Sequence, residues 1–433
     1  MGVMTPDDDA TPSIGEIKQR LTDSVTTYFL DSNDFNGLPA QRLIPKSPDS
    51  AAIIEELLTE LVADGVIYAN FGHKMVNPHI IGFQQEEPAE NLAQVRKRAG
   101  IGSSVLYPTA ATLEQAGAAD RYPDAPYSRQ LVLGEGQLES RFFHGAVLAR
   151  YRDDPRYEYA FDINGHIRGS GAPMGTFLTT FGIGYHRDTR NPEIVVGVPL
   201  RYLHDLLPVE QSYWLSFQHD QQDFILHPDW VRPNLYGEFP EKISAYTAIL
   251  DEMELINRIC DAIGYTHLYR TLFTENSRPT DYGYVIRPTD RELSNFYEQL
   301  NKLLIDNMQP AFFDRTRVER TQELKDGEGN TYRGPRGTVA MLEDFLKDVV
   351  TVDSEGMVPD AVATLRKIRK YRSSVAHDIK VNSFDPAIWE SQRQLVASTY
   401  FAVRTIRQLL GCHPDASEVT IPEALERPLV WLL

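Results

Sequence analysis

Cysteine is nearly missing from this chain: Cys260 and Cys412 are the only two in 433 residues. Two isolated cysteines exclude a disulfide framework and a thiolate metal site, and both read as buried thiols. Long apolar runs are missing too. No stretch approaches the ~18 residues that span a bilayer, and the N-terminus, MGVMTPDDDATPSIGE, carries acids where a secretory leader carries basic and apolar residues. The expectation is a cytoplasmic protein without membrane attachment. Basic residues are outnumbered, with 43 Lys and Arg against 61 Asp and Glu and a net charge of -18. That balance excludes a protein that coats nucleic acid with its whole surface and confines phosphate binding to a local patch.

Several site types are excluded by missing motifs. The glycines of GHIRGSGAPMG lack the Lys-Ser/Thr ending of a phosphate loop and read as a turn. No Gly-x-Ser-x-Gly elbow occurs. The histidines His73, His79, His144, His166, His186, His204, His219 and His227 show no paired ligand spacing. His219 and Asp220 with His227 and Asp229 could gather a metal, but ordinary loop and surface roles are favoured. No metal ligand and no cofactor is assigned.

What is present is an ordinary globular composition, with 42% hydrophobic and 24% charged residues. At ~150 residues per domain the length implies two or three domains. Residues 1–12 read as a disordered tail, and 13–125 as a mixed α/β region. There, Ile17, Leu21, Val25 and Phe29 mark one face of a first helix. SPDSAAIIEELLTELVADG reads as a second, with VIYANFGHKMVNPHIIGF as a following hairpin. Helix plus hairpin could form a winged-helix-like unit near 50–83, although Glu55, Glu56 and Glu60 suit a DNA-reading face poorly; a helix on the edge of a sheet is the plainer reading.

Residues 126–240 read as a β-rich, sensor-like domain, with strands expected in RQLVLG, RFFHGAVLARY, YEYAFDI, TFLTTFGIGYH and EIVVGVPL. RYLHDLLPVEQSYWLSFQ interrupts them as one or two helices, with Trp214 and Phe217 inside. Residues 241–284 form a helical connector. Helical periodicity continues through 285–433, with helices expected at 289–308, 336–351, 358–376 and 386–411 and a long polar loop after the first of these. The expected fold is therefore α+β and multidomain, a β-rich N-terminal and central region followed by a C-terminal antiparallel helical bundle.

The scarce positive charge is concentrated in RKIRKYRSSVAHDIK, Arg366 to Lys380. Arg366, Arg369 and Arg372 recur every three residues along one ridge of a helix, while Ala361, Leu365 and Ile368 supply an apolar face. A solvated helix end with cations near the negative pole of its dipole would look the same. The offset of Arg372 and His377 is different. Residues five apart on a regular helix point ~140° away from each other, so the helix is distorted or ends near Ser373 and Ser374, or a second copy completes the site.

LRKIRKYRSSVAHDI resembles the Arg-x(4–6)-His motif of HEPN domains, helical nucleotide-binding and RNase domains of prokaryotic defence, toxin and CRISPR-associated proteins. The resemblance covers roughly residues 285–433, including ELSNFYEQLNKLLIDNMQPAFFD upstream and PAIWESQRQLVASTYFAVRTIRQLL downstream. It departs at Ser373, where active members often carry Asn, Asp or His. The resemblance implies a metal-independent endoribonuclease in which His377 transfers protons, Arg372 stabilises the phosphate and Ser373 hydrogen-bonds one or the other. Arg366, Arg369, Lys370 and Lys380 would bind the RNA backbone. It also implies a homodimer through the bundle and a role as a regulated toxin or antiphage, abortive-infection effector, with the β-rich region sensing a phage-derived or small-molecule trigger. The alternatives are an inactive HEPN-like RNA- or nucleotide-binding or dimerisation module, and a winged-helix DNA-binding regulator.

Overall fold

Ser13 opens the first helix with a reciprocal cap: its hydroxyl accepts the Glu16 amide, and the Glu16 carboxylate accepts the Ser13 amide at 2.7 Å. The computed structural model describes residues 12–72, 77–98, 100–188, 190–219, 223–239, 241–349, 357–375 and 381–432. In chain order the elements begin with α1 (Ile14–Asp31), β1 (Leu38–Pro39), α2 (Pro48–Ala63), β2 (Ile67–Asn70), α3 (Pro88–Lys97), β3 (Val105–Pro108), α4 (Ala110–Gln115) and α5 (Pro126–Val132). Next come β4 (Ser140–His144), α6 (Ala149–Asp153), β5 (Tyr157–Ala160), β6 (Asn164–Gly169), β7 (Phe181–His186), β8 (Ile194–Pro199), α7 (Leu200–His204) and α8 (Pro208–Leu215). Then follow β9 (Phe224–Leu226), α9 (Pro228–Val231), β10 (Ile243–Ser244), α10 (Ala245–Ala262), α11 (Asp290–Leu300), β11 (Thr321–Lys325) and β12 (Thr331–Pro335). The chain closes with α12 (Thr338–Val349), α13 (Met357–Val375), α14 (Ala387–Gly411), α15 (Glu423–Glu426) and β13 (Val430–Trp431).

These elements divide into two compact units. The first runs to Arg141 and takes in Pro173–Leu178 and Val198–Gln218; the second holds Phe142–Ala172, Thr179–Gly197 and His219–Leu433. The strands and the C-terminal helices, expected as separate domains, thus largely share the second unit.

The first unit packs Leu21 and Val25 of α1, Leu57 and Leu61 of α2, and Val95 of α3 against Ile67, Ala69 and Leu106 of a three-stranded antiparallel sheet. Its strand order is β1-β3-β2. The expected local hairpin is corrected here: β2 pairs with β3, with Ala69 opposite Leu106, and Ile80 to Phe83 form no strand. The other side of β2 is held by Asn91 of α3, whose buried amide accepts from the Ala69 N–H at 2.9 Å and donates to its carbonyl at 2.8 Å. That pairing completes a strand edge that would otherwise lose both hydrogen bonds. The outward side of α2 exposes Asp49, Glu56 and Glu60, a charge that repels a phosphate backbone.

RQLVLG belongs to helix α5 rather than to a strand. Pro126 stands at its first turn, where a missing N–H costs nothing. Gln211 of α8 caps it, accepting from the amides of Tyr127 at 3.0 Å and Ser128 at 3.2 Å. Trp214 is fully buried as expected, but Phe217 is only half-buried.

In the second unit the strands follow the order β4-β8-β7-β6-β5, with β9 paired to β7. Gly182 and Gly184 of β7 make room for bulk above the sheet: a Cβ on the first would come within 2.7 Å of the Trp230 ring, and on the second within 2.8 Å of Phe142. The expected strands are shorter than their apolar runs. GAVLARY turns helical after His144, and residues 176–180 precede β7 without joining it. The first five residues of GHIRGSGAPMG belong to β6, and the rest, with Gly171 at φ +75°, follow it as bends and turns.

The C-terminal helices lie within a residue or a few of their expected limits. Helix α13 packs against α11, α12 and α14, and α10, from the expected connector, packs along α14. Residues 301–305 extend α11 as a π-helical turn. The segment expected as a long loop contains the antiparallel hairpin β11–β12. Its turn is closed by Asp326, which accepts from the Asn330 amide at 2.8 Å, with Gly329 at φ +87°. Of the cysteines Cys260 is buried, but Cys412 is exposed, correcting the expectation for the second. No helix among the described residues is long and apolar enough to cross a membrane.

Candidate functional site

Helix α13 owes its orientation to an unbroken apolar stripe. Ala361, Val362, Leu365 and Ile368 are all buried, at spacings that return to the same side of a helix. Arg366, Lys367, Arg369 and Lys370 are consequently turned outward and exposed. Three of the four expected RNA-binding residues therefore share this surface: Arg366, Arg369 and Lys370. Their settings differ. Arg366 forms an ion pair with Glu343 of α12, which also binds Lys347 at 2.8 Å. Lys347, joined by Arg366, holds the Glu343 carboxyl below its ordinary range. The Arg369 guanidinium lies against Gly337, just ahead of α12, where an added Cβ would come within 3.2 Å of Nη1.

The backbone of α13 remains helical through Arg372, Ser373 and Ser374 to Val375. The side chains of Arg372 and Ser373 lie outside the described residues, as do His377 and Lys380 entirely. What fixes the helix just ahead of Arg372 is an aromatic stack: the ring of Tyr371 lies 3.9 Å from that of buried Tyr297 on α11, tilted by 13°. Burial pushes the Tyr297 hydroxyl up to about 12. On the same helix, a groove of about 560 Å³ runs between α13 and α14, bordered by the exposed side chains Met357 and Phe401.

A second constellation was missed by sequence reasoning. His144 ends β4, Glu193 immediately precedes β8, and His219 is held beside β4 by its amide, which donates to the Phe142 carbonyl at 2.7 Å. Oε1 of Glu193 lies 3.2 Å from Nε2 of His219 and 3.7 Å from Nδ1 of His144, and the two imidazole centroids are 3.4 Å apart. Burial would raise the Glu193 carboxyl, but the adjoining imidazoles of His144 and His219 more than reverse it and hold the group at about 2. Phe142, Val195 and Phe224 pack together beside it, with the Phe224 ring 4.9 Å from that of His219.

The His219 with His227 grouping considered from sequence does not form this cluster. His227 is spent on a cap: its Nδ1 accepts the Asp229 amide at 3.2 Å at the start of α9. Asp220 lies outside the described residues. The cluster that does form was hidden because its members are distant in sequence and meet only when β4 and β8 become neighbours. The available signal was positional, each residue standing at the end of a strand or in the turn beside one.

Comparison with protein-family models, with curated proteins and with solved structures finds no match to this chain.

Proposed function

We propose that the chain is a metal-independent endoribonuclease of the HEPN type, with Arg372 and His377 as its reaction centre. The observation that carries the proposal is the exposed cationic surface of α13, with Arg366, Lys367, Arg369 and Lys370 leading directly to Arg372 in a chain of net charge -18. Such a patch supplies local phosphate attraction in a chain whose overall charge opposes it. The resemblance of LRKIRKYRSSVAHDI to the Arg-x(4–6)-His motif gives the patch its chemistry.

In this reading the 2′-hydroxyl of the RNA loses its proton and its oxygen attacks the adjacent phosphorus. The bond to the 5′-oxygen breaks, and that oxygen takes up a proton. His377 serves one of the two transfers, since imidazole exchanges protons near neutral pH. Arg372 stabilises the charge that builds on the phosphate, and Ser373 offers a hydroxyl to the phosphate or the histidine. Lys380 extends the RNA contact. The products are a 2′,3′-cyclic phosphate and a 5′-hydroxyl. A homodimer through the C-terminal helices brings two motifs to one RNA, and the apolar border of the α13–α14 groove suits such burial. The strand-rich part would restrain the nuclease until a phage-derived or small-molecule trigger binds, as a toxin or abortive-infection effector requires.

The test is incubation of the wild-type chain with total RNA in excess chelator, alongside Arg372→Ala and His377→Ala, with end-group analysis of the fragments. Cleavage that leaves cyclic phosphates, survives chelation and disappears in both variants is the expected result. Substrates with a 2′-deoxy link at the cut position should remain intact. Equal cleavage of DNA, or undiminished cleavage by His377→Ala, overturns the mechanism. Saturable RNA binding without any cleavage would instead mark an inactive nucleotide-binding module.

A further inference from the structure

His144, Glu193 and His219 bring two imidazole nitrogens and one carboxylate oxygen within 4.8 Å of one another. Charge-assisted hydrogen bonds would draw such atoms to roughly 2.7–2.9 Å. Here the separations from Oε1 are 3.2 and 3.7 Å, and Nε2 of His219 is buried without a hydrogen-bond partner among the described residues. A buried ring nitrogen beside an anion, close but not bonded, needs an explanation. One distance scale accounts for it. Ligands that hold zinc at ~2.0–2.2 Å in tetrahedral geometry are themselves spaced by ~3.4 Å, and the two measured separations bracket that value.

Donor chemistry points the same way: two imidazole rings with centroids 3.4 Å apart and one carboxylate oxygen converge on one place. Two nitrogens and one oxygen suit zinc and its first-row neighbours rather than magnesium or calcium, which take oxygen ligands. The Phe224 ring lies 4.9 Å from that of His219 on one side, while the His144 side chain is 53% exposed to solvent.

We propose that His144, Glu193 and His219 form a binding site for one divalent transition-metal ion of the zinc class. Three protein donors leave a further coordination position for water or an incoming ligand. The site belongs to the strand-rich part of the second unit and shares no residue with the Arg372–His377 motif. It gives that part a ligand of its own, independent of whether the chain cleaves RNA.

The experiment uses the full chain stripped with chelator, dialysed and titrated with Co²⁺, followed by displacement with Zn²⁺. One equivalent of Co²⁺ should give visible absorption bands of a low-coordinate site, and Zn²⁺ should abolish them and raise the melting temperature. Loss of an outer partner alone weakens metal sites by ~10–100-fold, so His219→Ala and Glu193→Gln, which lose a ligand, should weaken binding by at least ~100-fold. His413→Ala, in an exposed turn distant in sequence from the cluster, should bind as wild type does. His144→Ala repeats the test at the most exposed ligand if either of the other two variants fails to fold. No saturable Co²⁺ binding, or equal binding by the ligand variants, overturns the site. RNA cleavage measured in the same samples reads the nuclease proposal separately, because that reaction is expected to survive the chelator.

Discussion

Tyr371 stacks face to face on Tyr297, at 3.9 Å and 13°, one residue ahead of Arg372. The stack ties the last described turns of α13 to α11, so the backbone that carries Arg372 is set by a contact between two helices. Stacked aromatic pairs contribute about 0.5–1.5 kcal/mol beyond their area burial. Tyr371→Ala should therefore lower unfolding stability by roughly 1–2 kcal/mol, and Tyr371→Phe should restore most of it. If RNA is cut at Arg372 and His377, loss of the anchor should reduce cleavage ~10- to 100-fold, as small misplacements do. The pH dependence of the remaining activity should not change, because neither tyrosine exchanges a proton in the reaction. Cleavage and stability that both ignore Tyr371→Ala would remove the anchor from the account.

Glu343 competes with any phosphate for Arg366. With its carboxylate shared between Lys347 and Arg366, part of the cationic surface of α13 is neutralised before RNA arrives. Glu343→Gln should release Arg366, tighten RNA binding and steepen its salt dependence by roughly 0.7 for each added contact to a single strand. Arg366→Ala should do the reverse. Filter binding across a salt series measures both. An unchanged slope in both variants would show that Arg366 is a structural partner of α12 and no part of the RNA surface.

The helices were legible because each carries its own record. Ala361, Leu365 and Ile368 recur at helical spacing, and burial follows that spacing residue by residue. Strands were less legible where apolar runs served helices: RQLVLG has β-rich composition, yet Pro126 and the distant Gln211 make it a helix. The hairpin β11–β12 was hidden for the opposite reason. Its strands are largely exposed and polar, with no alternation to mark a buried side. Long-range pairing was least legible. Nothing near Ala69 signals that its strand partner is Leu106 or that Asn91 will occupy its other edge. The His144–Glu193–His219 cluster is the functional counterpart of that limit, since its spacing exists only in the folded sheet.

Glu252 on α10 and Arg407 on α14 form a buried ion pair, with hydrogen bonds of 2.6 Å from Nε and 3.1 Å from Nη2. Both side chains are at most 5% exposed. The two-point geometry keeps each charge satisfied, but removing one partner strands the other in the interior. Glu252→Ala should cost about 3–5 kcal/mol in chemical denaturation. Replacing both residues with leucine should cost far less than the single change. A double variant as unstable as Glu252→Ala would indicate that the loss comes from packing rather than from the uncompensated arginine.

His227 links the C-terminal strand to pH. Its ring caps α9 through the Asp229 amide and meets Trp431 edge to face at 4.7 Å, while the Trp431 indole donates to Asp229 and Lys242 stacks over it. Burial lowers its pKa to about 4, against the opposing pull of Asp229 and Asp162. Between about 4 and the ordinary value near ~6.5 the unfolded chain binds the proton and the folded chain does not. Stability therefore rises with pH through that window. The contribution is fully present above ~6.5 and is lost as pH falls to about 4, on the order of 3 kcal/mol in all. His227→Asn keeps an acceptor suited to a helix cap but cannot titrate. Melts between pH 4 and 7 should show a steep decline in the wild type and a flatter one in His227→Asn. Strand β13, paired to β10 beside this ring, should lose amide-exchange protection in the wild type as the acid limit is approached. Equal slopes in the two proteins would place the pH sensitivity on other groups.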